Sequence, residues 1–324
     1  MTTPLLVSVV MPAYNRRVVV GAAVASVLWQ THGHLELIVV DDGSSDGTSE
    51  VAASYGDPRL VLVRQTNAGA GAARNTGLKR ATGDVIAFVD SDDLLFPNYL
   101  DAMISTWRRH GGIVTANAYW LFPGGISARK TRHKGRFPPP REQRLALLQQ
   151  NFVSTMSLFP RRMLADIGMF DVTLARNEDW DLWLRAVFAG YRVTHQPLPL
   201  ALYRWTGFSL STDLELVFTE ETAILRRMAE RPDLLPPERE YLERRLRHLP
   251  PRQLAIRADA AMRTGQYREA ASLYREAAEL CTSETMLVRK ARLLGAAAPL
   301  VGPILRHRQL RREAALGMDP ASAR

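Results

Sequence analysis

The chain of 324 residues has one cysteine, Cys281, so no disulfide can close within it. That economy fits a reducing compartment. No run of about 18 uninterrupted apolar residues occurs, which excludes a helix crossing a bilayer. The best candidate, LLGAAAPLVGPIL at 293–305, is short and broken by glycine and proline. The start, MTTPLLVSVVMPAYNRR, lacks a basic segment before its apolar run and reads as a poor signal peptide. A complete Gly-x-Gly-x-x-Gly fingerprint is missing too. Gly69 and Gly71 begin one, but Arg74 stands at its last position, and the loop follows the third apolar run rather than the first. A nicotinamide dinucleotide is therefore a poor fit. No nucleic-acid recognition motif is found, so no nucleic-acid partner is expected.

What is present is ordinary for a globular protein with a sizeable core: 46% hydrophobic and 23% charged residues. The net charge of +9 is uneven. Residues 1–222 carry +1 and residues 223–324 carry +8. A basic surface of this kind suits an anionic membrane face, or simply solubilises a helix.

The first half alternates β-rich and helical runs. Strands are expected at 6–11, 35–40, 60–64 and 85–90, and helices at 18–30, from about 49, and at 71–81. Such alternation implies an α/β fold with a mainly parallel sheet flanked by helices. Ligands then bind beyond the carboxyl ends of the strands. The polar clusters PAYN, DDGSSDGT, NAGAG and DSDD each follow one of the four strands, so they converge on one crevice. After about residue 215 strand-like runs vanish. There, 254–280 reads as two amphipathic helices joined at TGQ, with Ala, Gly265, Tyr267, Ala270, Tyr274 and Ala277 spaced like one tetratricopeptide hairpin over about 252–281. The expected organisation is a domain at 1–215, a helical region at 216–312 and a frayed tail at 313–324.

Three acids close the fourth strand: Asp90, Asp92 and Asp93. One would suffice to cap the following helix. Three like charges repel unless something positive sits between them, so a divalent cation held by oxygen ligands stands beside the cap as a reading. Asp41 and Asp42 end the second strand, before a turn in which Gly43 and Gly47 take unusual dihedrals and Ser45 or Asp46 caps a helix. Such a carboxylate can accept from a pyrimidine N–H or a ribose hydroxyl. The Gly-rich loop ahead of Arg74 suits phosphate oxygens. NEDWDLWLR at 177–185 brings Glu178, Asp179 and Asp181 to a helix start, where acids also favour the helix dipole.

In series, VVMPAYNR, VVDDGSSDGT, NAGAGAARNTG, FVDSDD, IGMFD, NEDWDLWLR and YRWTGFSLS resemble the family 2 glycosyltransferases of the GT-A fold, over about residues 6–211. The resemblance implies an inverting, metal-dependent transfer of a sugar from a nucleotide sugar to a hydroxyl, with UDP-sugars first and dTDP- or GDP-sugars open. Asp90-Ser91-Asp92 would meet the donor and its Mn²⁺ or Mg²⁺, Asp92 as the direct ligand with Asp90 beside it. Asp93 would cap the next helix. Pro12, Tyr14 and Asp41 would hold the nucleoside base, with Asn15 and Asp42 alongside. Arg74 would lie near the nucleotide, and Asp179 would be the general base, with Glu178 a second candidate. One departure stands out: where many relatives carry histidine, two residues after Arg204, this chain has Thr206. Arg204 and Ser209 remain for phosphate contact.

The alternative reading is a non-catalytic scaffold that binds partners through the helical region. Retention of Asp41, Asp90, Asp92 and Asp179 together argues against it. A sugar-nucleotide pyrophosphorylase would carry a Gly-rich basic signature where PAYNRR stands. The family implies a glycan or lipid-linked acceptor and a cytoplasmic setting at the inner face of a membrane. The segment 293–312 joins an apolar stretch to a basic one and suits peripheral contact with anionic lipid. A second basic cluster at 129–144 is either a solvated loop or a collector for an acceptor's pyrophosphate.

Overall fold

The computed structural model describes residues 5–131, 133, 135–205, 214–280, 289–294 and 301–307, without the side chains of 128–130, 214 and 215. The chain divides into two compact units, Met1–Thr206 and Gly207–Arg324.

In the first unit the elements run β1 Val7–Ala13, α1 Arg17–Leu28, β2 Leu35–Asp41, α2 Thr48–Ala53, β3 Leu60–Arg64, α3 Ala70–Arg80, β4 Val85–Phe88, β5 Leu94–Leu95 and α4 Tyr99–His110. They continue with β6 Ile113–Phe122, β7 Gly125–Thr131, α5 Gln143–Gln149, β8 Ser157–Pro160, α6 Met163–Ile167, α7 Glu178–Phe188 and β9 Val193–Arg204. One sheet holds all nine strands in the order β3-β2-β1-β4-β8-β6-β9-β5, with β7 on β6. The strands β3, β2, β1 and β4 are parallel, as the alternation implies. Beyond β4 the sheet is mixed. β8 enters antiparallel between β4 and β6, and β9 then pairs parallel with β6.

Helices cover both faces of β1, so its residues are apolar almost without interruption. Val7, Val9 and Met11 join Val20, Val24 and Val27 of α1 and Met103 of α4 in one core. On the other face, α3 lies so close that a Cβ on Gly77 would sit 2.4 Å from Val10 Cγ1. Only glycine lets the two backbones approach this far. This clamps the loop before α3 over the strand ends.

The second unit holds α8 Leu214–Ala229, α9 Pro236–Thr264 and α10 Tyr267–Leu280, with further helical turns at 289–294 and 301–307. Alanines line the crossing of α9 and α10, with Ala258, Ala261, Ala270 and Ala277 in one buried cluster with Met262 and Tyr274. Gly265, at φ +81°, ends α9. The first helix of this hairpin begins at Pro236 and carries Pro250 and Pro251 inside it. Tyr274 donates its hydroxyl proton to Asp259, and the Lys290 ammonium donates to the same carboxylate at 2.8 Å. Cys281 and the tail at 313–324 lie outside the described residues.

Candidate active site

The loops after β1 and β2 are tied together. Asn15 takes a left-handed φ of 51°, its N–H donates to Ser44 Oγ at 2.9 Å, and its Oδ1 accepts from Ser45 N at 3.0 Å. Arg16 N donates to Thr48 Oγ1 and Arg17 N to Asp46 Oδ2. Asp46 also accepts from Thr48 N and so serves the start of α2. Pro12 is half-buried in β1, whereas the Tyr14 ring is exposed.

Asp41 is fully buried at the end of β2. Its carboxylate accepts from Ser44 N at 2.8 Å and from the Ser49 hydroxyl, with the Arg64 guanidinium at 3.5 Å. Burial pushes this carboxyl up, but the serine donors and Arg64 outweigh it and hold it below the usual carboxylate range. Asp42 faces the other way, into the glycine loop. It accepts from Gln65 Nε2, Ala68 N and Gly69 N at 2.7–2.9 Å. The second acid of the pair thus shapes the loop that opens α3.

Arg74, on α3, is buried under Phe88 and Phe170, whose rings lie 6.0 and 5.5 Å from its guanidinium carbon. Its Nη2 donates to Asp90 Oδ1 at 2.8 Å and its Nη1 to Glu178 Oε1 at 2.6 Å. Burial alone would weaken its hold on the proton; Asp90 and Glu178 more than compensate and raise its pKa. One side chain therefore joins the acid-rich strand end to α7. The adjacent Asn75 exchanges two hydrogen bonds with the backbone of Phe170, which anchors the IGMFD turn beside it.

Asp92 lies across from the first loop, with Arg16 Nε at 3.6 Å. Burial and the neighbouring Asp90 push its carboxyl above the ordinary value, against Arg16 and Arg204. Arg204, at the end of β9, donates its Nε proton to the Asp92 carbonyl at 2.8 Å. Ser91 is buried between the two acids. Asp93 departs from the expectation. The N-cap of α4 is Asn98, without a side-chain cap bond, and Asp93 instead accepts the Arg204 backbone N–H at 2.9 Å. Residues 94–98 separate Asp93 from α4, and Asn98 occupies the N-cap position.

On α7 the three acids make different hydrogen bonds. Glu178 is buried against Arg74. Asp181 holds Arg185 at 2.9 Å, and that guanidinium donates to the carbonyls of Ile167 and Met169. Asp179 is half-buried, accepting from Trp180 N at 2.7 Å and from Asn151 Nδ2 at 3.2 Å.

Among the described residues no cluster of three His, Cys, Asp or Glu side chains could enclose a metal alone. The donor set still fits a hard divalent cation, which takes one or two carboxylates and fills its shell with substrate phosphate and water oxygens. Asp92 suits direct ligation, and Asp90 is oriented by Arg74 and by Thr155 Oγ1 at 2.9 Å. Arg16, Asn151 and Thr155 were not singled out from the sequence. Arg16 stood in view within PAYNRR; the other two lie in the uncharged run NFVST. Thr206 and Ser209 fall outside the described residues. Of the 129–144 cluster, Arg141 pairs with its exposed neighbour Glu142, and Arg144 stacks over Phe188 at 4.2 Å.

The family model described as Glycosyl transferase family 2 matches residues 8–168. A UDP-Glc:alpha-D-GlcNAc-diphosphoundecaprenol beta-1,3-glucosyltransferase, WfgD of Escherichia coli, is 34% identical over 55% of this chain and 68% of its own length. Glycosyltransferase AglE of Haloferax volcanii is 31% identical over 58% of this chain and 63% of its own. Among solved structures, S. aureus TarS 1–349 in complex with UDP-GlcNAc superposes with a TM-score of 0.60 at 17% identity, covering 89% of this chain and 90% of that one. The mannosyltransferase PcManGT from Pyrobaculum calidifontis, in complex with GDP-Man and Mn²⁺, gives 0.59 at 20% identity, over 94% and 84%. Those two likenesses speak for the GT-A fold.

Proposed function

Because the chain belongs to glycosyl transferase family 2, we propose that it is an inverting transferase that moves a sugar from a UDP-sugar to a hydroxyl of a lipid-linked or glycan acceptor. The observation that carries the reading is the Arg74 bridge, which brings Asp90 of the strand end and Glu178 of α7 to one guanidinium and so supports a shared site for the two acidic motifs. Glu178 is taken up in that buried pair. Asp179, next along the helix, is half-buried where Glu178 and Asp181 are buried, which supports it as the base.

In this reading the exposed Tyr14 ring stacks on the base, and the loops tied by Asn15 and Asp41 frame the nucleoside. Arg16, beside the Asp92 carboxylate, and Arg204, on its backbone carbonyl, meet the diphosphate. A divalent cation on Asp92, with Asp90 beside it, would offset the charge that develops on the departing diphosphate. The acceptor oxygen attacks the anomeric carbon from the face opposite the leaving group, the carbon–oxygen bond to the phosphate breaks, and the Asp179 carboxylate takes the hydroxyl proton.

WfgD acts on a diphosphoundecaprenol-linked sugar by its name, which supports a lipid-linked acceptor here. Among the described residues no helix is long and apolar enough to cross a membrane. We extend the proposal to peripheral contact at the cytoplasmic face, supported by the +8 charge of residues 223–324. Of the segment 293–312, the described helical turn 301–307 carries Arg306 and His307.

The test is a thermal-shift and hydrolysis screen of UDP-, dTDP- and GDP-sugars with and without Mn²⁺, on the parent and Asp92→Asn. A UDP-sugar should stabilise the parent more with Mn²⁺ than without, and the variant should lose that increment. Stabilisation by no nucleotide sugar would overturn the reading.

A further inference from the structure

Residues 151–156, NFVSTM, link α5 to β8 and carry no charge, yet they touch two carboxylates of the proposed chemistry. At one end, Asn151 Nδ2 donates to Asp179 Oδ2 at 3.2 Å. The same side chain's Oδ1 accepts from Val153 N at 3.2 Å, which fixes which way the amide faces. At the other end, Thr155 Oγ1 donates to Asp90 Oδ2 at 2.9 Å. Between them, Ser154 N donates to Thr115 Oγ1 at 2.9 Å, and Ala116 N donates to the Met156 carbonyl at 3.0 Å. The segment is thereby fastened to β6, and Asn151 is held in place from its own backbone.

An Asx turn accounts for the bond from Asn151 Oδ1 to Val153 N. It does not account for the amide N–H aimed at Asp179. We propose that Asn151 is a positioning residue that fixes the orientation of the Asp179 carboxylate towards the acceptor. This rests on the reading of Asp179 as the general base. The Trp180 N–H pins one carboxylate oxygen at 2.7 Å and Asn151 the other. A carboxylate offers about four lone-pair sites, and these two donors, one on each oxygen, set the plane in which it lies. Among the charged groups, the Arg74 guanidinium from α3 is close enough to be coupled to Asp179. The 151–156 segment supplies a directional neutral donor instead of a further charge.

Asn151→Asp separates this role from turn formation. It keeps the acceptor for Val153 N and the size of the side chain, but removes the donor and sets a like charge beside Asp179. Asn151→Ser keeps a turn-forming oxygen without charge and cannot reach Asp179. The readout is the titration of the Asp179 side-chain carboxyl by ¹³C NMR, assigned with Asp179→Asn, alongside UDP release from UDP-glucose in Mn²⁺. Both variants should melt near the parent and bind UDP like the parent. The Asp179 titration should move up on the order of one unit in Asn151→Asp and less in Asn151→Ser. The acid limb of UDP release should move the same way. A parental titration in both variants would overturn the proposal. If Asp179→Asn turns over at the parental rate, it is the base assignment that fails, whatever the Asn151 variants do.

Discussion

Replacing Arg74 with methionine tests the bridge that organises the site. The side chain is 5% exposed and contributes two charge-assisted hydrogen bonds, at 2.6 Å to Glu178 and 2.8 Å to Asp90. Methionine fills most of the volume under Phe88 and Phe170 but leaves both acids without their cation. Their fates differ. Asp90 is 25% exposed and can turn towards water, whereas Glu178 is 9% exposed and cannot. Breaking a buried ion pair from one side costs about 3–5 kcal/mol, chiefly through the charge left behind. A unit of this size loses about 2–4 °C per kcal/mol, so Arg74→Met should lower the melting temperature by about 6–20 °C. Adding Glu178→Gln removes the stranded charge and should restore a substantial part of the loss. Near-UV circular dichroism can follow both, because Trp180 and Trp183 are buried on the same helix as Glu178. A single variant that melts within about 2 °C of the parent, or a double variant less stable than the single, would refute the reasoning.

Other outcomes follow from the same geometry. Asp41 has a lowered pKa in the fold, so its stabilisation is present above the ordinary aspartate value of about 3.9 and is lost as pH falls through the lower folded value. Asp41→Asn should cost about 1–3 kcal/mol at pH 7, and the gap to the parent, measured by denaturant melts, should narrow below about pH 4. Gly77→Val should destabilise by about 1–3 kcal/mol or more, because its Cβ would overlap Val10; an unchanged melting temperature would contradict the close approach of α3 to β1. Sedimentation with anionic vesicles should carry the protein down at low salt and release it as salt rises; a protein that stays in the supernatant at low salt would remove the membrane proposal.

The parallel half of the sheet was legible because β1, β2, β3 and β4 are short Val- and Ile-rich runs bounded by polar turns, with helices between. The mixed half was less so. β8 is four residues long and ends on Pro160, β5 has two residues, and the direction in which either pairs is decided by partners far along the chain. The prolines of α9 fall inside one continuous helix, although proline there costs a backbone hydrogen bond. For the site, charge at strand ends singled out Asp41, Asp90 and Asp92, and charge at a helix start singled out the acids of α7. Their division of labour was not readable. Asp42 and Asp93 are consumed by loop and strand backbone, Asp181 by Arg185, and Glu178 by Arg74. The neutral Asn151 and Thr155 acquire a role only through tertiary approach, 28 residues from Asp179 and 65 from Asp90.

Turnover by Asp179→Asn tests the central claim most directly. With the UDP-sugar that best stabilises the parent in Mn²⁺, the rate of sugar transfer should fall by about a hundredfold or more, the range for loss of a general base, while affinity for UDP stays at the parental value. Turnover within a few-fold of the parent, by a folded variant that binds UDP normally, would contradict the assignment of Asp179 and with it the proposed inverting chemistry.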